Sequence, residues 1–332
     1  MHLYLMSLLF LLLPLCFTAR PAEANWKRAQ ILSMAKQYCP AAYQLLTAEP
    51  GYAIEQFSHA RKKQNLAIDF ATVVHETCHR RNYMIGVREK EEGYYIAPGV
   101  EIGVKKGGVY NSHVLNDFVA DSLQQLIFRY PTYIGMKSNY LGSQLNGIYG
   151  LMNEYSAYYQ GTLASFHLYG YYLNEVALGY EDAESWLNYI SNVAGNITAY
   201  YEFKLFISWY LQYARLHHPD VYQDCMENSN LRIAYTLIER QYKQLIFQYY
   251  NMRQRLIKKL EAGGHSISFV DEPEMGIVLE AFDSHGNMQG VGIHEEDMQM
   301  IRSLLKQPEH QVLEAFSMPT VSIKNYRSFL ED

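Results

Sequence analysis

Charge is scarce in this chain. Only 19% of its 332 residues are Asp, Glu, Lys or Arg, and the acidic ones lead, giving a formal net charge of -6. A nucleic-acid partner calls for a basic patch to meet its phosphates, so none is expected. Cysteine is scarcer still, with four in all. Cys16 falls in an N-terminal apolar run, leaving Cys39, Cys78 and Cys225, an odd set that cannot all pair. The chain is therefore no disulfide scaffold; at most one bridge can form, and Cys39 with Cys225 is the expected pair. After the N-terminus there is no second apolar stretch of membrane-spanning length, no internal repeat and no low-complexity tract. A chain of this length then reads as one large domain, or as one domain with a small appendage.

Residues Leu3 to Ala19 are almost wholly apolar, and Ala22-Glu23-Ala24 supplies small residues where signal peptidase needs them. Residues 1–24 read as a signal peptide cleaved before Asn25, which makes the body secreted or extracytoplasmic. Arg20, Lys27 and Arg28 follow the apolar run, an order that also suits an uncleaved membrane anchor. Tyrosine is abundant, with 30 residues. A phenol buries its ring and keeps its hydroxyl wet, so this wealth fits interhelical packing or a tyrosine-lined binding surface.

The fold class expected is mainly α (α+β): a helical domain over 25–264 with a small β-hairpin, then a small α+β appendage over 265–332. Apolar positions at helical spacing predict helices over Trp26 to Tyr38, Ala42 to Thr47, Asn65 to Tyr83 and His113 to Phe128, with a short helix or lead-in from Phe57 to Lys63. Alternation from Gly93 to Val104 predicts the hairpin, and residues 131–145, rich in Pro, Gly, Ser and Asn, read as a loop. Long helices follow from about Leu145 to Tyr172, in Ser185 to Asn192, Thr198 to His217 and Leu231 to Leu260. Strands over Ser266 to Val270, Gly276 to Phe282 and Met288 to Ile293 precede helices at Glu295 to Lys306 and Glu309 to Phe316.

The stretch His75-Glu76-Thr77-Cys78-His79 carries the clearest chemistry. On a helix, positions four apart lie on one face roughly 6 Å from each other, so His75 and His79 can share a metal ion. Glu76 stands about 100° round, beside the metal, where a carboxylate can take a proton from water. A catalytic zinc site needs a third protein ligand. Metzincin spacing would put Gly at 82 and His at 85, and Asn82 and Ile85 exclude that class. Glu154, in Asn153-Glu154-Tyr155-Ser156-Ala157, lies on a separate helix, and the small Ala157 permits close approach to the first.

In these two motifs the chain resembles the gluzincins, zinc peptidases in which H-E-x-x-H is completed by a glutamate from a downstream helix. The resemblance implies Zn2+ as cofactor, a zincin-like fold, His75, His79 and Glu154 as ligands, Glu76 as general base, and a peptide or protein substrate. Thermolysin-like members place Asp four residues after the ligand glutamate, where this chain has Tyr158. A thiolate from Cys39 or Cys225 would instead resemble peptide deformylase, a cytosolic activity at odds with export. Glu175 is the reserve carboxylate. Tyr155, Tyr158, His113 and His167 are candidate donors to an oxyanion, and Asp69, Asp117 and Asp121 could orient a histidine. The rival readings are a zinc hydrolase of non-peptide amides or esters, and a non-catalytic, tyrosine-rich surface or interaction protein.

Overall fold

The structure, a computed structural model, describes residues 21–49, 52–59, 63–89, 91–272 and 276–322. The expected signal peptide falls, over residues 1–20, outside them. The chain is mainly α, 69% helical, with two small antiparallel sheets. Helices α1 (Pro21–Tyr38), α2 (Pro40–Ala48) and α3 (Tyr52–Phe57) lead to the 27-residue α4 (Lys63–Glu89), which carries the histidine motif. The hairpin β1 (Glu92–Ala97) and β2 (Val100–Val104) turns at Gly99, whose φ of +74° suits a residue without a side chain.

An irregular stretch follows: a 3-10 turn at Ser112–Asp117, the single-turn α5 (Asp121–Gln124), a π turn at Pro131–Gly135 and the single-turn α6 (Gly142–Leu145). Then come α7 (Gly147–His167), α8 (Tyr169–Tyr171), a π turn at Tyr172–Val176, α9 (Ala183–His217), α10 (Pro219–Glu227) and α11 (Ser229–Ala262). Asp182 caps α9 by accepting from the Ser185 N–H, and Asn228 caps α11 from Leu231 N–H. The last elements among the described residues are β3 (Ser266–Glu272), β4 (Gly276–Phe282) and β5 (Met288–Gly292), then α12 (Glu295–Leu304) and α13 (Val312–Phe316).

Helices α4 and α7 lie side by side, and small residues set how close. A Cβ on Gly161 would sit 3.0 Å from the Ala71 carbonyl oxygen and 3.4 Å from the Cβ of His75. On its far side α7 packs against α9 and α11, where the rings of Tyr155, Tyr200, Tyr235 and Tyr242 meet. More than half of the tyrosines lie in this buried interior, so interhelical packing is their main use. The C-terminal sheet belongs to the same core: Leu279, Ala281, Ile293, Met298 and Phe316 join it, and Arg253 of α11 pairs with Glu295 at 2.7 Å.

Several expectations are corrected. The single helix expected over His113 to Phe128 is broken, because Gln124 Nε2 donates to the carbonyls of Asn116 and Val119 and so replaces helical bonds there. The two helices expected on either side of residue 195 are one, which ends at His217 as expected, and Pro219 at once starts α10. Of the short helix or lead-in expected from Phe57 to Lys63, Phe57 ends α3, Ser58 and His59 are not helical, and residues 60–62 lie outside the described residues. Cys39 and Cys225 form no bridge: both are free and buried. Cys39 lies near Tyr159 and Cys225 near Tyr149, ten residues or roughly 15 Å apart along α7.

Candidate metal centre

The periodicity of α4 puts His75 and His79 on the face that meets α7, and Glu154 projects from α7 to the same point. The two Nε2 atoms are 2.9 Å apart, and Glu154 Oε2 lies 3.6 Å from that of His75 and 3.4 Å from that of His79. Among the described residues these three form the one group of His, Cys, Asp or Glu able to hold a metal ion. Four ligands at zinc distances mark a tetrahedron with edges of about 3.4 Å, and the three observed separations bracket that length. Glu154 Oε2 is buried and makes no hydrogen bond of ordinary geometry, the nearest imidazole nitrogen, His79 Nε2, standing 3.4 Å away. A buried carboxylate oxygen in that state is costly unless a cation meets it, so the donor set fits zinc.

The neighbours tune each group. Burial, then the His79 and Arg129 charges, hold the His75 pKa well below its ordinary value. Burial also opposes charge on His79, but Glu154, Asn153 and Glu76 outweigh it and push the pKa up to about 9. Burial raises the Glu76 carboxyl above its ordinary value; His79 opposes this and Glu154 adds to it. Asn153 Oδ1 stands 2.6 Å from His79 Nδ1 and also accepts from Asn82 Nδ2 at 3.2 Å.

His75, Glu76, His79 and Glu154 line a cleft of about 730 Å³. Its opposite wall comes from the irregular stretch: Thr132, Tyr133, Met136, Lys137 and Leu141 among others. Gln144, fully buried, holds that wall by accepting from Ser138 N–H at 2.9 Å and donating to Met136 O at 2.7 Å. Tyr133 OH is 3.0 Å from Tyr158 OH, and the Tyr158 ring meets the His75 ring edge-on, centroids 4.5 Å apart.

The remaining candidates scatter. Tyr158 backs His75 but is not among the residues lining the cleft. Tyr155 is turned about 100° from Glu154 into the tyrosine core and does not reach the cleft. His113 bonds Ile134 O through Nδ1 at 2.8 Å, and Asp121 is exposed at the start of α5, near Tyr130. Asp117 also lies near Tyr130, and Asp69 accepts from His59 N–H at 2.6 Å. His167 ends α7, roughly 20 Å along the helix from Glu154, and Glu175 is exposed in the second π turn. None of these six lines the cleft. Cys78 is fully buried, packing α4 against Ser156.

Residues not singled out from sequence are Asn153, Tyr133, Gln144 and Gly161. Asn82 entered the sequence reading only as a departure from metzincin spacing, yet 75, 79 and 82 share one helical face, a signal available beforehand. Tyr133 and Gln144 lie where no periodicity operates. Comparison with protein-family models, curated proteins and solved structures finds no match to this chain.

Proposed function

We propose that this chain is an exported zinc-dependent metallopeptidase of the gluzincin type. The observation that carries the reading is the convergence of two imidazole nitrogens and one buried carboxylate oxygen on the floor of an open cleft, with Glu76 beside them. His75, His79 and Glu154 would hold the metal. Zinc there supplies a Lewis acid that makes water nucleophilic near neutral pH and polarises a carbonyl. Glu76, raised by burial towards the working range of a general base, takes the proton and returns it to the leaving amine. Tyr133, on the facing wall with its hydroxyl near Tyr158, is better placed than Tyr155 or His113 to donate to the oxyanion.

The hairpin bears on how a substrate is held. The edge of β1 away from β2 is closed: Tyr95 N–H donates to Asn82 Oδ1 at 2.6 Å, Ser156 Oγ donates to Tyr95 O at 2.9 Å, and Gln160 Nε2 to Ile96 O at 2.9 Å. A peptide cannot add to this strand through its backbone, so side chains of the cleft must grip it. The same closure favours a second reading, a hydrolase of small non-peptide amides or esters, for which the cleft volume is ample. The burial of most tyrosines counts against a tyrosine-surface interaction protein. Among the described residues no helix is long and apolar enough to cross a membrane; export rests on the N-terminal sequence.

The test is metal analysis together with hydrolysis of unfolded casein and of simple amide and ester substrates. One zinc per chain is expected, and Glu76→Gln should keep the zinc while lowering turnover about 10²- to 10⁴-fold. A purified, folded chain with no affinity for zinc would end the proposal.

A further inference from the structure

The hairpin does more than pack: a line of hydrogen bonds runs from its backbone to the metal-facing imidazole, and only one assignment of donors satisfies every link. A backbone N–H can only donate, so Tyr95 N–H fixes Oδ1 of Asn82 as the acceptor, 2.6 Å away. The Asn82 side chain, 1% exposed, must then offer its NH2 to Asn153 Oδ1, at 3.2 Å. That oxygen, already an acceptor, leaves His79 Nδ1, 2.6 Å away, the donor. His79 therefore keeps a proton on Nδ1, so the proton that a metal would displace is one on Nε2, the nitrogen that faces His75 and Glu154.

We infer that Asn153 and Asn82 are positioning residues that set the tautomer of His79, and that the β1 backbone at Tyr95 anchors them. The proximity is built in. A Cβ on Gly93 would overlap the carbonyl of Asn82, so glycine at 93 lets β1 close on α4 one turn beyond His79. The acceptor for the imidazole is a neutral amide, which directs the proton without placing a further negative charge behind the ligand. The closed edge of β1 acquires a reason, since that strand's outward N–H is committed to the metal centre.

The inference rests on the metal-centre reading, and the experiment separates the two. In 15N-labelled protein without metal, His79 should show an Nδ1–H proton shifted downfield and protected from exchange, and Asn153→Ala should abolish the protection. Isothermal titration with zinc chloride should then show Asn153→Ala weaker by about 10- to 100-fold and Asn82→Ala by about tenfold, while Asn153→Asp, which restores an acceptor, stays within about threefold of the parent. Circular dichroism checks that each variant is folded; should Asn153→Ala not fold, Asn153→Ser, too short to reach the ring, takes its place. An unprotected Nδ1 in the parent protein, or a folded Asn153→Ala with unchanged zinc affinity, overturns the inference. A protected Nδ1 in a protein that binds no zinc upholds the relay and defeats the metal reading alone.

Discussion

Two buried polar clusters touch the ring of Tyr158, and they differ in what they bring together. On one side Arg129 pairs with Glu202 at 2.6 Å and also donates to Thr198 Oγ1 at 2.7 Å and to Gly195 O at 3.0 Å, its guanidinium 4.6 Å from the ring centroid. On the other, His75 meets the ring edge-on, and the cluster behind it ends in the Glu154 carboxylate. The first cluster balances its own charge and fixes α9 to the irregular stretch. The second sets Glu154 Oε2 beside two imidazole nitrogens with no hydrogen bond of ordinary geometry. Each leaves one buried polar atom without a hydrogen-bond partner, Arg129 Nε in the first and Glu154 Oε2 in the second, so an unmet valence alone does not mark a site; the convergence of that carboxylate with two imidazoles does.

The sharpest way to break the comparison is to make the balanced cluster unbalanced. Arg129→Met leaves Glu202, 1% exposed, charged and alone, and should cost about 3–5 kcal/mol in urea unfolding. Adding Glu202→Leu should recover most of that loss, because the cost lies in the unpaired charge. A single substitution costing under about 1 kcal/mol would show that the pair is not what holds this seam.

The next effect belongs to the second cluster. Zinc at a hundred times its dissociation constant should stabilise the protein by about 2.7 kcal/mol, read as a rise in Tm that EDTA reverses. Glu154→Gln should lose that increment. If it kept the full rise, that carboxylate would have no part in binding.

The third effect contrasts the helical floor of the cleft with its wall. The floor rests on α4 and α7, while the wall depends on Gln144, which reaches backbone groups at residues 132, 136 and 138. Gln144→Ala should cost about 2 kcal/mol and raise KM more than it lowers kcat, with zinc affinity unchanged. A matching loss of zinc would mean that floor and wall are one unit.

This division also explains what could be read from the chain. His75 and His79 sit four apart on one long periodic helix, so helical spacing put them on one face before any coordinates, while Glu154, on a second long helix, was reached through its motif and the family resemblance. The wall follows no period: Gln144 and Gln124 organise it through side-chain bonds to backbone that has no regular partner. Single-turn elements of that kind carry no repeating apolar pattern, so His113 to Phe128 read as a helix where none is continuous. α9 was split for the opposite reason. Gly195 and Asn196 look like a break, but Arg129 bonds the carbonyl of Gly195 from another element, a tertiary contact that local propensity does not contain.

The smallest effect concerns a third buried polar group, balanced only while neutral. His310, 5% exposed, takes Ser208 Oγ at 2.8 Å and Gln212 Nε2 at 3.3 Å on its Nδ1, joining the C-terminal segment to α9. The amide of Gln212 donates, so Nδ1 accepts and has no room for a proton, and burial lowers the pKa below its ordinary value, with Glu309 opposing. The unfolded chain then binds this proton more readily than the folded one. The contribution to stability is complete above the unfolded value of about 6.5 and is lost as pH falls from there through the folded pKa. Between pH 7 and 5 the parent should lose up to about 1 kcal/mol more than His310→Gln, measured as the difference in urea midpoint between the two proteins at each pH. Parallel pH profiles would show that Nδ1 accommodates a proton and that this seam is indifferent to acid.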